Sequence, residues 1–184
     1  MWCRNILGSW GLGTTVKHHA YGTLTLLLLI VSGHAADNQD GNPPPKQVVL
    51  LSSIIEIWGG VCDAALKVND DGSLQNLREK ALAASKRCDQ LFSELESHKT
   101  MTASQQKRLW KTHLEKPFIA QERRSIATVE HFANLPRKLA EQAEAAGAPF
   151  FEMMDRNQKT LDQQIDPRLI AEARKRLEGE RDDK

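Results

Sequence analysis

The 184-residue sequence lacks the motifs on which several common chemistries depend. Its three cysteines form neither the CxxC pair of redox proteins nor the CxxCH motif that attaches haem covalently. Aromatic residues make up only 5% of the chain, and no serine lies in a GxSxG elbow of the kind that hydrolases use. These absences argue against a thiol oxidoreductase, a covalent haem protein and a serine hydrolase, so we expect a protein that is not an enzyme.

The N-terminal region has the order of a secretory signal. Residues 1–35 hold Arg4 and Lys17 but no acidic residue, and they end in the run TLTLLLLIVSGHA. The apolar stretch Leu24–Val31 is shorter than the ~20 residues that a membrane-spanning helix needs, and small residues precede a cleavage site at Ala35. We predict a signal peptide over residues 1–35 that is cleaved after Ala35 or one residue later. An uncleaved anchor extended by Ala20–Thr23 is the alternative.

Cleavage would leave a nearly neutral protein. Removing residues 1–35 leaves 23 basic and 24 acidic residues, a formal charge of −1, which provides no electrostatic basis for binding nucleic acid. We therefore expect no nucleic-acid partner. We expect export to the periplasm if the source is a Gram-negative bacterium, and secretion otherwise.

The rest of the chain divides simply. Residues 36–46 include DNQDGNPPPK, whose prolines and polar residues favour an extended, flexible spacer. Residues 47–180 have the size of one domain, and residues 181–184 are predicted to be a disordered tail.

Apolar residues recur at helical spacing throughout this domain. We predict an all-α bundle of about four main helices and a short C-terminal helix, the alternative being an elongated coiled-coil hairpin. Gly59 and Gly60 mark a bend or a close helix approach in the first helix. The predicted core of that helix is Val48, Leu50, Leu51, Ile54, Ile55, Ile57, Trp58, Val61 and Cys62. The predicted core of the second helix is Leu74, Leu77, Ala81, Ala84, Cys88, Leu91 and Leu95.

The later helices are marked by prolines. The third begins near Met101 and should kink or restart at Pro117. The fourth should kink between Gly147 and Pro149, and Asp166 with Pro167 should begin the last helix, through Leu177. Predicted core residues in this part are Phe118, Ile126, Val129, Phe132, Ala133, Leu139, Ala143, Ala146, Phe150, Met153 or Met154, and Leu161.

Cys62 and Cys88 are a possible disulfide, because export places them in an oxidising compartment. In a simple hairpin of the first two helices they would differ in height by roughly 15 Å, whereas bridged α-carbons lie about 4.4–6.8 Å apart. A bridge therefore requires the first helix to break at Gly59 and Gly60, or the loop to climb the second helix. Two buried thiols and an intermolecular bond are the other interpretations.

Few side chains have the spacing of a metal or cofactor site. Glu94 and His98 can meet across one helical turn, but two ligands are a fragment, and His113 and His131 lie too far apart to share a metal. His131 and the methionines could ligate haem within a bundle, although methionine at helical spacing is usually core. We therefore predict no metal and no cofactor, and keep a small-ligand, haem or metal-binding bundle as the alternative function.

The stretch MTASQQKRLW, residues 101–110, carries the candidate partner contacts. Thr102 and Gln105 are spaced as a capping box, and a basic strip with an amphipathic tryptophan follows, suited to an acidic partner or to peripheral contact with a membrane surface. More often such a strip is a solvated helix face. The candidate residues are Thr102, Gln105, Lys107, Arg108, Trp110 and Lys111.

MTASQ is also similar to the LTxxQ signature of small exported helical proteins, the Spy and CpxP-like family. Thr102 and Gln105 match that signature, and Met101 replaces its leucine. The resemblance implies an all-α, enzyme-free chaperone or adaptor that binds protein partners and forms a curved homodimer. We therefore predict an exported, non-catalytic helical protein that binds a protein or envelope partner, with a homodimer as one possible assembly.

Overall fold

In the computed structural model the described residues are 45–182, and they form α-helices, one π-helical turn and no strand. The elements are α1 (Lys46–Ala65), α2 (Asp71–Glu96), α3 (Ala103–Leu109), the π-turn (Trp110–Leu114), α4 (Glu115–Ala133), α5 (Arg137–Arg156), α6 (Gln158–Gln164) and α7 (Pro167–Asp182). The predicted all-α class is confirmed. The predicted signal peptide and the spacer up to residue 44 lie outside the described residues.

Helix α1 lies at the centre of the packing, with α2 and α4 against it and a smaller contact with α5. Its predicted core positions are buried except Ile57, which is half-buried. The helix runs without a break through Gly59 and Gly60. Within residues 45–182, α1 alone is long and apolar enough to cross a membrane, but a buried core helix passes the same test.

Helix α2 buries all of its predicted core residues, which lie on one face that we call the α2 seam, and it buries Phe92 in addition. It packs against α1 and also against α5, so it has two helical neighbours and is not one arm of an isolated two-helix hairpin. The turn before it is closed by a capping box. The Ser73 amide donates to the Asp70 carboxylate at 2.7 Å, and the Asp70 amide donates to the Ser73 hydroxyl at 3.0 Å.

The π-turn lies directly before Pro117, which falls in the first turn of α4. Proline has no N–H to donate to the carbonyl four residues earlier, and its ring crowds that carbonyl. Two residues before Pro117, the Glu115 N–H donates to the carbonyl of Trp110, five residues back instead of four. The predicted restart at Pro117 therefore takes the form of a widened turn that leads into a continuous helix.

The buried residues of α4 differ in part from those predicted. Phe118 is buried as predicted, but Ala133 is exposed, and Val129 and Phe132 are only half-buried. Ile126 is also half-buried. The other buried side chains of α4 are polar: Gln121, Glu122, Ser125 and Thr128. The predicted apolar face was wrong in this respect because these polar side chains find partners on α1 and α7.

The C-terminal helices follow the predicted order with shifted ends. Helix α5 runs through Pro149 without ending, and Leu161 lies in the separate α6, which begins after Asn157. The Asp166 carboxylate accepts a hydrogen bond from the Arg168 amide at 3.0 Å, which confirms the predicted cap. Helix α7 extends to Asp182, beyond the predicted end, and residues 183–184 lie outside the described part.

Candidate functional site

Cys62 and Cys88, the two cysteines within residues 45–182, occupy different environments, and both are free thiols. The Cys62 sulfur accepts a hydrogen bond from Gln121 Nε2 at 3.1 Å and lies 3.6 Å from the Ser125 hydroxyl, both on α4. Cys88 is buried in the seam of α2. The unbroken α1 does not provide the break at Gly59 and Gly60 that would ease a bridge.

Neither thiol is set up as a nucleophile. Burial raises the pKa of Cys62, although hydrogen bonds from Ser125 and Gln121 act in the opposite direction. Burial also raises the pKa of Cys88 to about 12, with a smaller contribution from the negative charge of Asp89. The reactive form of cysteine is the thiolate, which both environments disfavour at neutral pH. The two cysteines therefore act as packing groups.

The remaining candidate ligands are engaged elsewhere. His131 Nε2 donates to the Val68 carbonyl at 2.9 Å, so this side chain links α4 to the turn that follows α1. Glu94 pairs with Lys46 at 2.5 Å, and the hydrogen bond from that lysine, together with its charge, lowers the pKa of Glu94. Met153 and Met154 are buried in α5. No group of three or more His, Cys, Asp or Glu side chains with metal-binding geometry occurs among the described residues.

A buried polar cluster between α1 and α4, which we call the polar seam, was not foreseen from the sequence. It consists of Cys62, Gln121, Ser125 and Thr128. Gln121 is 1% exposed, and its Oε1 has no hydrogen-bond partner. The signal that could have found it is the spacing of Gln121, Ser125 and Thr128, which puts three polar side chains on the helix face that carries Phe118.

A second polar contact joins α4 to α7. The guanidinium of Arg174 donates to Glu122 Oε1 at 2.7 Å, and Arg176 pairs with Glu115 at 2.8 Å. Burial raises the pKa of Glu122, and the positive charge of Arg174 offsets only part of that effect. These contacts hold α7 against α4, so we assign them a structural role.

The candidate partner contacts fall into two groups. Thr102 is the N-cap of α3: its hydroxyl accepts from the Gln105 amide at 3.4 Å, while Gln105 Oε1 accepts from the Thr102 amide at 2.9 Å. The capping box is thus present, and it accounts for the spacing of these two residues without any function. Lys107, Arg108 and Lys111 are exposed, and Lys111 pairs with Glu115 at 3.0 Å.

Trp110 departs from the exposed strip that the sequence suggested. It begins the π-turn, is 1% exposed, and packs against Phe118 with ring centroids 5.2 Å apart. Phe118 in turn contacts Trp58 of α1 at 6.3 Å. Because its ring forms part of the core, Trp110 in this structure cannot touch a partner.

A cleft of about 390 Å³ lies beside the capping box, and we call it the N-terminal cleft. Its walls are the start of α1, the loop between α2 and α3, and the first turns of α3. Thr102, Gln105 and Arg108 line it, so the structure brings three of the six candidate contacts together in one cavity. Lys99 and Leu109 also line it, and no sequence pattern indicated their role because they meet Pro45 and Gln47 only in the folded chain.

The walls of the cleft are held by side-chain amides. Gln47 Nε2 donates to the Lys99 carbonyl at 3.3 Å, which ties the loop to α1. Gln106 Nε2 donates to the carbonyls of Met101 and Gln163, at 3.2 and 3.1 Å, which ties the same loop to α6. The loop is therefore attached to two other elements, and the cleft has a defined shape.

Comparison with family models, with curated proteins and with solved structures finds no match to this chain.

Proposed function

We propose that this chain is an exported, non-catalytic helical protein that binds a protein partner, as a chaperone, an adaptor or an envelope-assembly component does. We propose further that the partner contacts the N-terminal cleft. The observation that carries this proposal is the cleft itself, a half-open cavity of about 390 Å³ that gathers Thr102, Gln105 and Arg108. Well-formed concave sites that bring together apolar and polar groups are the usual places for recognition.

The environments of the cysteines and histidines support a binding role over a chemical one. Cys62 and Cys88 have raised pKa values, and His131 is engaged with a backbone carbonyl. The exposed basic side chains of α3, by contrast, are available for contact with another molecule.

Site-specific photo-cross-linking tests the position of the partner. A photoreactive residue replaces Thr100, which is exposed and lines the cleft, and in a matched variant it replaces Lys80, which is exposed on α2. We expect one protein to be cross-linked from position 100 in the compartment where the chain resides, and none from position 80. Equal yields from the two positions, or none from either in folded protein, would contradict the proposal.

Export is tested separately by the mass of the protein recovered outside the cytoplasm. We expect a chain that lacks residues 1–35 or 1–36. Recovery of the full-length chain in the membrane fraction would favour the uncleaved anchor, and recovery of the full-length chain in the cytoplasm would contradict export.

A further inference from the structure

The charge and the floor of the N-terminal cleft indicate what chemistry its occupant has. We propose that the cleft binds an extended acidic peptide segment of the protein partner, whose carboxylates meet Lys99 and Arg108 and whose apolar side chain packs on Leu109. This inference rests on the proposed function and deepens it.

The charges on the cleft have one sign. Lys99 and Arg108 are its only charged lining residues within the described part of the chain, and both are cationic. Both are exposed, and neither side chain has an ion-pair partner there, whereas nearby Lys46 is paired with Glu94. Two unpaired cations at one cavity favour an anionic occupant, and arginine binds carboxylates with two parallel hydrogen bonds.

Several neutral polar atoms of the cleft already make hydrogen bonds within the protein. Thr102 and Gln105 hydrogen-bond to each other in the capping box, and Gln47 donates to the Lys99 carbonyl. An occupant that uses these same atoms must compete with contacts that hold the helix start or the loop. We therefore assign discrimination between occupants to the two cations and to the apolar floor.

The floor is apolar and fixed. Leu109 is buried beneath the cleft, Met101 is half-buried beside it, and Pro45 completes the lining at the start of α1. An apolar side chain of the occupant would cover the part of this lining that still contacts water, chiefly Met101 and Pro45, which a free phosphate or a single carboxylate would not do. Charge and floor together fit a peptide in which acidic residues flank an apolar one.

The test measures fluorescence anisotropy of labelled six-residue peptides added to the purified protein. One peptide carries glutamates on both sides of a leucine, and its matched control carries glutamines there. We expect the glutamate peptide alone to bind, and its affinity to fall as salt is raised, because exposed charges are screened. Arg108→Glu and Lys99→Glu should each weaken binding about tenfold or more, whereas Lys80→Glu, the same charge change on exposed α2, should leave it within about twofold.

Three results would overturn the inference. The first is equal binding of the glutamate and glutamine peptides, and the second is unchanged affinity in Arg108→Glu and Lys99→Glu proteins whose circular dichroism is native. The third is preferential binding to vesicles containing phosphatidylglycerol that displaces the peptide, since the anionic occupant would then be a lipid surface. If any of these occurs while position 100 still cross-links specifically to a protein, the proposed function stands and only the acidic peptide fails.

Discussion

Helices α2 and α4 both pack against α1, but they bury different kinds of side chain. Every buried residue of α2 is apolar, from Leu74 to Leu95, whereas four of the five buried residues of α4 are polar. Apolar burial stabilises a contact in proportion to area, whereas a buried polar group contributes little net stability unless all its hydrogen bonds are made. The contacts of α2 with α1 and α5 should therefore supply more stability than the α1–α4 contact, which should supply register and orientation.

The largest expected effect is on the α2 side. Leu77→Ala removes a buried side chain from the α2 seam and should lower the free energy of unfolding by about 2–5 kcal/mol, since it leaves a cavity in addition to losing burial. Leu82→Ala is the matched control, because Leu82 lies on the same helix and is 44% exposed. It should change stability by about 0.5 kcal/mol or less. Chemical denaturation measures both free energies of unfolding. Equal decreases in the two variants would contradict the assignment of stability to the buried face of α2.

Replacing a polar residue of the polar seam by an apolar one should not lower the stability as Leu77→Ala does. Gln121→Met replaces a buried amide by an apolar side chain of similar shape and removes an oxygen that has no hydrogen-bond partner. Since leaving such a group buried costs about 1–3 kcal/mol, and a thiol is a weak acceptor, we expect stability to be unchanged or raised by about 1 kcal/mol. Denaturation in urea checks this. A decrease of more than about 2 kcal/mol in the free energy of unfolding would show that the polar seam stabilises the fold as much as an apolar contact does.

Substitution of Gly59 and Gly60, which are adjacent in α1, tests how closely α4 approaches α1. A Cβ at Gly59 would lie 2.7 Å from an Arg124 guanidinium nitrogen and 3.0 Å from Gln121 Oε1, whereas a Cβ at Gly60 would meet nothing within 4 Å. Alanine is favoured over glycine in a helix by about 1 kcal/mol, so Gly60→Ala should raise the melting temperature. Gly59→Ala should lose that gain, because the Gln121 amide must move. A higher melting temperature for Gly59→Ala than for Gly60→Ala would contradict a close approach of α4 at Gly59.

The smallest effect is a pH dependence at Glu122. Its pKa is raised in the folded protein, so between the ordinary value of 4.5 and the raised value the folded state binds more protons than the unfolded state. Stability from this group therefore increases as pH falls through that window. Denaturation of the wild type and Glu122→Gln across pH 4 to 7 should show the wild type gaining relative to the variant as pH decreases. A relative loss would mean that the ion pair with Arg174 outweighs burial.

Local patterns predicted the helices well where their cause is local. The predicted capping box at Thr102 and the predicted cap at Asp166 involve residues within three positions of each other, and both are present. The capping box at Asp70, which was not predicted, has an equally local cause. The seam of α2 could also be predicted, because any neighbour would bury that face. The π-turn could not be predicted from Pro117 alone, since a kink, a break and a widened turn all relieve the same clash.

The candidate site was predictable only in part. The sequence nominated Thr102, Gln105 and Arg108, which line the N-terminal cleft, but it also nominated Trp110, which is buried. An amphipathic tryptophan beside basic residues fits a surface or a core equally well until its neighbours are known. Lys99 and Leu109 were missed because nothing near them in the sequence indicates that α1 begins beside them.

The sequence by itself determined that this domain is helical, where most of its helices begin, and that α2 has one apolar face. These properties depend on side chains three or four residues apart, whose relative positions a helix sets. The tertiary structure decided that α4 turns Gln121 and Ser125 towards Cys62, and that a cleft with two unpaired cations opens beside Pro45. Those arrangements join residues some fifty or more positions apart, and only the packing of whole helices brings such residues together.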